Sequence, residues 1–314
     1  MSKKKEKEKD KEEQKQDTGK YRKNTKDQFY TSPDVAKKCI QILISVLHDA
    51  ALHSPAPALP LSSYLWVEPS AGNGAFLNNI PDTYDKIGID IEPAGGAGNA
   101  NIIKQDFLTW VPSEQKTKTN QKPVIIFGNP PFGRQSSLAK AFIAHSCKIA
   151  STYIIAFILP RSFVKPSMSC AFESHFHCIH TSDVERNAFV LGGGDASYDV
   201  PCVFQIWQRR SVPRIVPEKI TEKGFQYVKG TDPHDIVIRR VGVYAGRCYI
   251  NSHDETEYNV QSHHFIKLDK KYENHIVNIA KKINAHVFPT NTTGPRSLSK
   301  PEINIVLNSI LGGL

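Results

Sequence analysis

Glu68-Pro69-Ser70-Ala71-Gly72-Asn73-Gly74 stands directly behind the apolar run Tyr64–Val67. A short apolar run bounded by turn residues reads as a strand, and the glycines behind it let the backbone turn tightly and come close to a ligand. Taken alone, such a loop is equally a plain turn. Its surroundings add to it. The next apolar run, Lys86–Asp90, ends on a carboxylate within Gly88-Ile89-Asp90-Ile91-Glu92-Pro93. A carboxylate at the end of that strand can accept both hydroxyls of a ribose. Further on, Gln105-Asp106-Phe107 supplies a second carboxylate and a flat ring, suited to the amino group and the face of an adenine.

Outward from this stretch, Pro123–Phe127, Thr152–Leu159 and Val200–Trp207 are further predicted strands, and Gln135–Ala150 between two of them has helical character. Strands alternating with helices imply an α/β fold, a mainly parallel sheet with helices on both faces. Right-handed crossovers then collect the loops behind the strands along one edge. On the N-terminal side, Thr31 or Ser32 can cap a helix with Pro33 in its first turn. Val35, Cys39, Ile42, Leu43, Val46 and Leu47 recur at helical spacing behind it, and Pro55–Pro60 forms a stiff connector. Residues 1 to about 26 hold almost nothing apolar and are expected to be a disordered, charged tail. After Arg210 the pattern is less regular. Asp235–Val241, Arg247–Ile250 and His263–Leu268 are candidate strands, Glu273–His286 and Lys300–Leu311 candidate helices. The expected domains are a catalytic one over 27–211 and a smaller region over 212–314.

The second chemical constellation is Asn129-Pro130-Pro131-Phe132, behind the apolar strand Val124–Phe127. The amide oxygen of Asn129 can accept a hydrogen bond from an amino group, and the Pro130 carbonyl can accept another. Pro131 has no N–H and stiffens the turn that aims that carbonyl. Phe132 offers a face on which a base can stack, worth about 1–3 kcal/mol. An amine conjugated to an aromatic ring is a poor nucleophile. Two fixed acceptors favour its pyramidal form and free the lone pair, without any ionised side chain.

With these stretches in view, the chain resembles the amino-group methyltransferases that act on adenine in DNA, whose relatives act on RNA and on protein glutamine. EPSAGNG followed by NPPF carries the resemblance. Phe29-Tyr30-Thr31-Ser32-Pro33 is similar to the family's first motif, with Ser32 inserted before the proline, and Phe157–Phe163 to a further strand. The resemblance covers about 27–210 and implies a Rossmann-like fold with a mostly parallel seven-stranded sheet. It implies S-adenosylmethionine as cofactor. Tyr30 and Thr31 would lie at its methionine end, with Glu68, Ser70, Ala71, Gly72 and Gly74 around the methionine part. Asp90 would hold the ribose, and Asp106 and Phe107 the adenine. Asn129, Pro130, Pro131 and Phe132 would form the catalytic turn around the target base. Phe189 is a candidate for the far face of that base, and equally a core residue.

Composition bounds the partners. The 314 residues carry a net charge of +9 and a pI near 9.1, compatible with nucleic acid. No apolar run is long enough for a membrane span, and no signal peptide is expected. Six scattered cysteines without a CxxC pair point to reduced thiols and an intracellular location, cytoplasmic or nuclear. His175, His177, Cys178 and His180 have no second ligand pair at a standard spacing, so no metal is expected. Gly192-Gly193-Gly194-Asp195 is either a loop or a phosphate cradle, and His263-His264 has no evident partner. The motif order resembles that of restriction-type adenine methyltransferases, whose target-recognition domain comes last; the resemblance implies a target-recognition or substrate-binding role for 212–314 and puts DNA ahead of RNA as substrate. Alternatives are an RNA adenosine enzyme, including one acting beside the mRNA cap, a glutamine methyltransferase, and a silent binding subunit.

Overall fold

The computed structural model describes residues 29–52, 59–94, 101–112, 122–191, 197–198, 200–216, 218–251, 258–289 and 296–314. The charged segment 1–26, most of the Pro55–Pro60 connector and the Gly192–Asp195 loop lie outside them. The described residues divide into two compact units, 29–216 and 218–314.

In the first unit, β1 (Phe29–Thr31) leads into α1 (Pro33–Leu52). Ser32 caps the helix, its Oγ accepting from Val35 N at 3.4 Å. The predicted apolar stripe of α1 is buried at Val35, Cys39, Leu43 and Leu47 and half-buried at Ile42 and Val46. Then come β2 (Leu65–Glu68), β3 (Asp85–Asp90), β4 (Ile102–Lys104), β5 (Val124–Gly128), α2 (Ser137–Lys148), β6 (Thr152–Pro160), β7 (Phe176–Asp183), β8 (Phe189–Leu191), β9 (Ser197–Tyr198) and β10 (Cys202–Arg209).

Seven of these strands form one sheet in the order β4-β3-β2-β5-β6-β10-β7. Neighbours from β4 through β6 pair in parallel, while β10 is antiparallel to both β6 and β7. The core explains the unbroken apolar runs. Along β6, Ile154, Ala156 and Ile158 join the cluster that holds the α1 residues, whereas Ile155, Phe157 and Leu159 join the cluster of Phe142 and Ile143 from α2. Alternate side chains point to opposite faces, and a helix covers each face, so every position is apolar. The chain order reverses at β2, which lies between β3 and β5. The loops behind β2 and β5 therefore leave the sheet in opposite directions and open a crevice at its carboxyl edge. A separate ribbon, β1-β8-β9, carries Thr31 opposite Phe189.

Several short strands escape the periodicity reading: β1, β4, β8 and β9 span two or three residues each, too few to show a period of two. β7 is longer, but only its Phe176 is buried, so it alternates weakly.

In the second unit, β11 (Phe225–Val228), β12 (Ile236–Arg239), β13 (Cys248–Ile250) and β14 (His263–Leu268) form an antiparallel sheet in the order β11-β14-β12-β13. The helices α3 (Ile276–Ala285) and α4 (Lys300–Gly312) share its core through Ile279, Ile283, Ile303 and Leu307. The predicted helix over Glu273–His286 is split, with Lys270–His275 wound as a 3-10 turn before α3. A capping box between Ser299 and Glu302 starts α4. β11 went unpredicted although Phe-Gln-Tyr-Val alternates, because four residues between polar flanks make a weak pattern. No helix among the described residues is long and apolar enough to cross a membrane.

Candidate active site

The glycine loop is built by its own hydrogen bonds. Ala71 N donates to Ile89 O at 3.0 Å, and Gly74 N to Ala71 O at 2.6 Å. Gly72 has φ +52°, and a Cβ there would sit 2.9 Å from Cε1 of Tyr30. Both facts call for glycine, and the second shows that the Phe29–Thr31 strand packs onto the loop. Asp90 is clamped at the end of β3. Its Oδ2 accepts from Gly72 N at 2.7 Å and its Oδ1 from Glu92 N at 2.8 Å. A carboxylate has about four acceptor positions, so each oxygen keeps one for a ligand.

Glu68, at the end of β2, is 2% exposed, and its Oε2 accepts from Leu77 N at 2.8 Å. Burial drives its carboxyl well above the usual carboxylate range; N–H bonds from Leu77 and Phe76 work against this, and nearby Asp90 adds to it. Asp106 caps the turn Phe107–Thr109, Oδ1 accepting from Leu108 N at 2.9 Å. Phe107 is 2% exposed, packed between Phe142 and His145 with ring centroids at 5.2 and 4.9 Å.

The Asn129–Phe132 turn follows β5. The Ser70 hydroxyl donates to Asn129 O at 2.9 Å, and Asn129 Nδ2 donates to Thr31 Oγ1 at 3.2 Å. The other end of that amide, Oδ1, is buried and has no partner. Phe132 O accepts from Leu138 N and Ala139 N at 3.2 and 3.3 Å, tying the turn to α2. The connection is made by Gly133, Gln135 and Ser136, all with positive φ. A positive φ at Gln135 and Ser136 is costly for side-chain-bearing residues, and such strain gathers at functional sites.

Of the residues singled out from sequence, all but Gly74 line one cavity of about 530 Å³. Gly74 lies buried behind the loop, where φ +77° and its bond to Ala71 make it a turning point rather than a wall. Phe189 is packed in the core at 1% exposure and also lines the cavity. The sequence reading missed Val200, Leu138 and Ile91 in the lining. Ile91 had a signal, being an apolar residue directly behind the acidic strand end, and it is 68% exposed.

His177 and His180 have partners of their own. His177 Nε2 lies 2.8 Å from Val212 O, and His180 Nε2 lies 3.0 Å from Ser182 Oγ. Among the described residues no three metal-ligating side chains gather. In the second unit His264 packs edge-on against Tyr227 with centroids at 5.1 Å. Burial, with Arg240, Lys300 and His263 nearby, holds its pKa at about 4.

No family model and no curated protein sequence matches the chain. Solved structures with a partial likeness to the chain are found. The chain is similar to the 23S rRNA methyltransferase ErmE at 15% identity, over 56% of this chain and 70% of that one, with a TM-score of 0.37. It is similar to a dimethyladenosine transferase from Plasmodium falciparum at 14% identity, over 54% and 61%, with a TM-score of 0.33. It is also similar to the M protein of the type I restriction enzyme EcoKI at 11% identity, over 92% and 71%, with a TM-score of 0.36. The fold class rests on the sheet itself, parallel from β4 through β6 with helices on both faces, a Rossmann-like α/β arrangement.

Proposed function

We propose that the chain is an S-adenosylmethionine-dependent methyltransferase that modifies the N6 amino group of adenine in nucleic acid, with DNA as the preferred polymer. The supporting observation is that Asn129, whose buried Oδ1 has no partner, lines a cavity together with Phe132 and two strand-end carboxylates. A buried acceptor costs about 1–3 kcal/mol until a donor meets it, and Asn129 and Phe132 on one cavity wall suit a flat ligand bearing an N–H.

The donor set also fits the cofactor. Asp90 keeps two acceptor positions for ribose hydroxyls. Asp106 keeps Oδ2 for an adenine amino group, with exposed Ile91 as an apolar wall. Glu68 brings a carboxyl toward the positively charged methionine end. The cavity volume lies within the usual range for a ligand site. The bound cofactor supplies an electrophilic methyl group. The chain's own part is to hold the amine: Asn129 Oδ1 and the Pro130 carbonyl take its two hydrogens, and Phe132 holds the ring. A base reaches such a seat only when flipped from a duplex or offered on a single strand. The preference for DNA rests on the motif order, with the Asn129 turn behind the glycine loop and a smaller region last.

The test is transfer of labelled methyl from the cofactor to DNA, RNA and a cap analogue in parallel, with the product nucleosides identified. N6-methyladenine in DNA is the expected product. Label on another base, on protein only, or on nothing sinks the reading, and label on RNA alone sinks its choice of polymer.

A further inference from the structure

We propose that Thr31 is a positioning residue, holding the Asn129 amide so that Oδ1 meets the substrate amine. The inference rests on the adenine-methyltransferase reading and departs from the family resemblance, which implies a role for Thr31 at the cofactor.

The torsion that turns an asparagine amide is soft, with broad minima. Left to itself, Oδ1 would sweep an arc, and an acceptor that must favour a pyramidal nitrogen has to point within about 10–20° of one direction. Asn129 is anchored at two other atoms. Its carbonyl takes the Ser70 hydroxyl at 2.9 Å, and its Nδ2 donates to Thr31 Oγ1 at 3.2 Å. The first bond holds the backbone and the second holds the amide plane, which leaves Oδ1 as the end without a partner.

The anchor is itself fixed. Thr31 is buried, and its backbone pairs with Phe189 across the β1–β8 ribbon. The next residue is tied as well, Ser32 N donating to Ala188 O at 2.9 Å. Because Ser32 rather than Thr31 caps α1, the Thr31 hydroxyl is left for Asn129. The two tasks thus fall to two neighbouring hydroxyls, Ser32 at the helix start and Thr31 at Asn129.

Thr31→Val removes the hydroxyl at nearly constant volume and suits a strand. Maximal methyl-transfer rate should fall roughly 10-fold, the scale of one hydrogen bond. Cofactor affinity should hold, the melting temperature should fall by no more than a few degrees, and Thr31→Ser should recover most of the rate. In an Asn129→Ala background, adding Thr31→Val should change the rate by less than about twofold, since the two act as one unit. An undiminished rate in Thr31→Val, or the same loss in both backgrounds, overturns the proposal. A loss confined to cofactor affinity overturns it too. A second measurement does not depend on the substrate. In asparagine-labelled protein, the Asn129 side-chain NH₂ should exchange with solvent faster in Thr31→Val than in the parent. Equal exchange refutes the positioning role even if the protein methylates no adenine. Faster exchange without adenine methylation leaves Thr31 as the anchor and removes the functional reading instead.

Discussion

At the scale of single residues, Asn129 and Phe132 separate chemistry from binding. Asn129→Ala deletes the buried acceptor. If that acceptor acts as the nitrogen pyramidalises, kcat should fall by about 10²–10³-fold while KM moves little. Phe132→Ala should raise KM as well as slow the reaction, and Phe132→Tyr should keep much of the activity. Steady-state kinetics decide this, and a near-normal kcat in Asn129→Ala disproves the hydrogen-bond mechanism. Asp90→Ala should weaken cofactor binding by about 1.5–3 kcal/mol, the scale of hydrogen bonds to a charged group. Its two backbone bonds, to Gly72 and Glu92, mean that the loop loosens too. Calorimetry that finds unchanged affinity places the cofactor elsewhere. Glu68 yields a pH prediction. Burial raises its folded pKa well above the unfolded value. Below the unfolded value both states hold the proton, and this residue takes nothing from stability. As pH rises from there toward the folded pKa, the unfolded chain releases the proton first, so stability is lost. Glu68→Gln cannot ionise and should remove this share of the decline. Urea unfolding across pH would show the variant's curve flatter than the parent's, and parallel curves would contradict the assignment.

At the scale of elements, the loop behind β2 is the most exacting piece. Gly72→Ala forces a side chain into φ +52° and against the Tyr30 ring 2.9 Å away. Strain of this kind costs about 1–3 kcal/mol. The variant should melt lower and bind cofactor more weakly, as thermal unfolding with and without cofactor would report; full stability would mean that Tyr30 does not pack on the loop. The buried strands were the most legible elements. β6 is a long, almost wholly apolar run and β10 is broken only by Gln205 before its polar end, and a run buried on both faces announces itself without alternation. The starts of α1 and α4 were legible too, Thr31 or Ser32 before the first and Lys300 for the second, whereas α3 starts three residues after the expected Glu273. The short strands of the β1-β8-β9 ribbon were not, because each is defined by a distant partner rather than by its own pattern.

At the scale of the molecule, each unit carries its own core. The sheet of the first is sandwiched between two clusters, and β11–β14 with α3 and α4 enclose a third. A segment with its own core can fold alone. Residues 218–314 expressed alone should therefore unfold in a single cooperative transition, with circular dichroism of a mixed α/β protein. A non-cooperative, featureless melt would show that this region depends on the rest of the chain.

The sequence by itself determined five of the seven strands of the central sheet (β2, β3, β5, β6 and β10), the helices α1 and α2, the glycine turn, the acidic strand end and the Asn129–Phe132 turn. All of these are local: side-chain periodicity, caps and turn residues act within a few positions of where they stand. Tertiary structure alone decided which of these local pieces meet. It brought Thr31 to Asn129 across 98 residues and Ser70 to Asn129 across 59. It laid Tyr30 on Gly72, and it slid β10 antiparallel between β6 and β7. Such contacts are chosen by which buried faces and unpaired strand edges the assembled sheet still has to satisfy, a condition that exists only once the chain is folded.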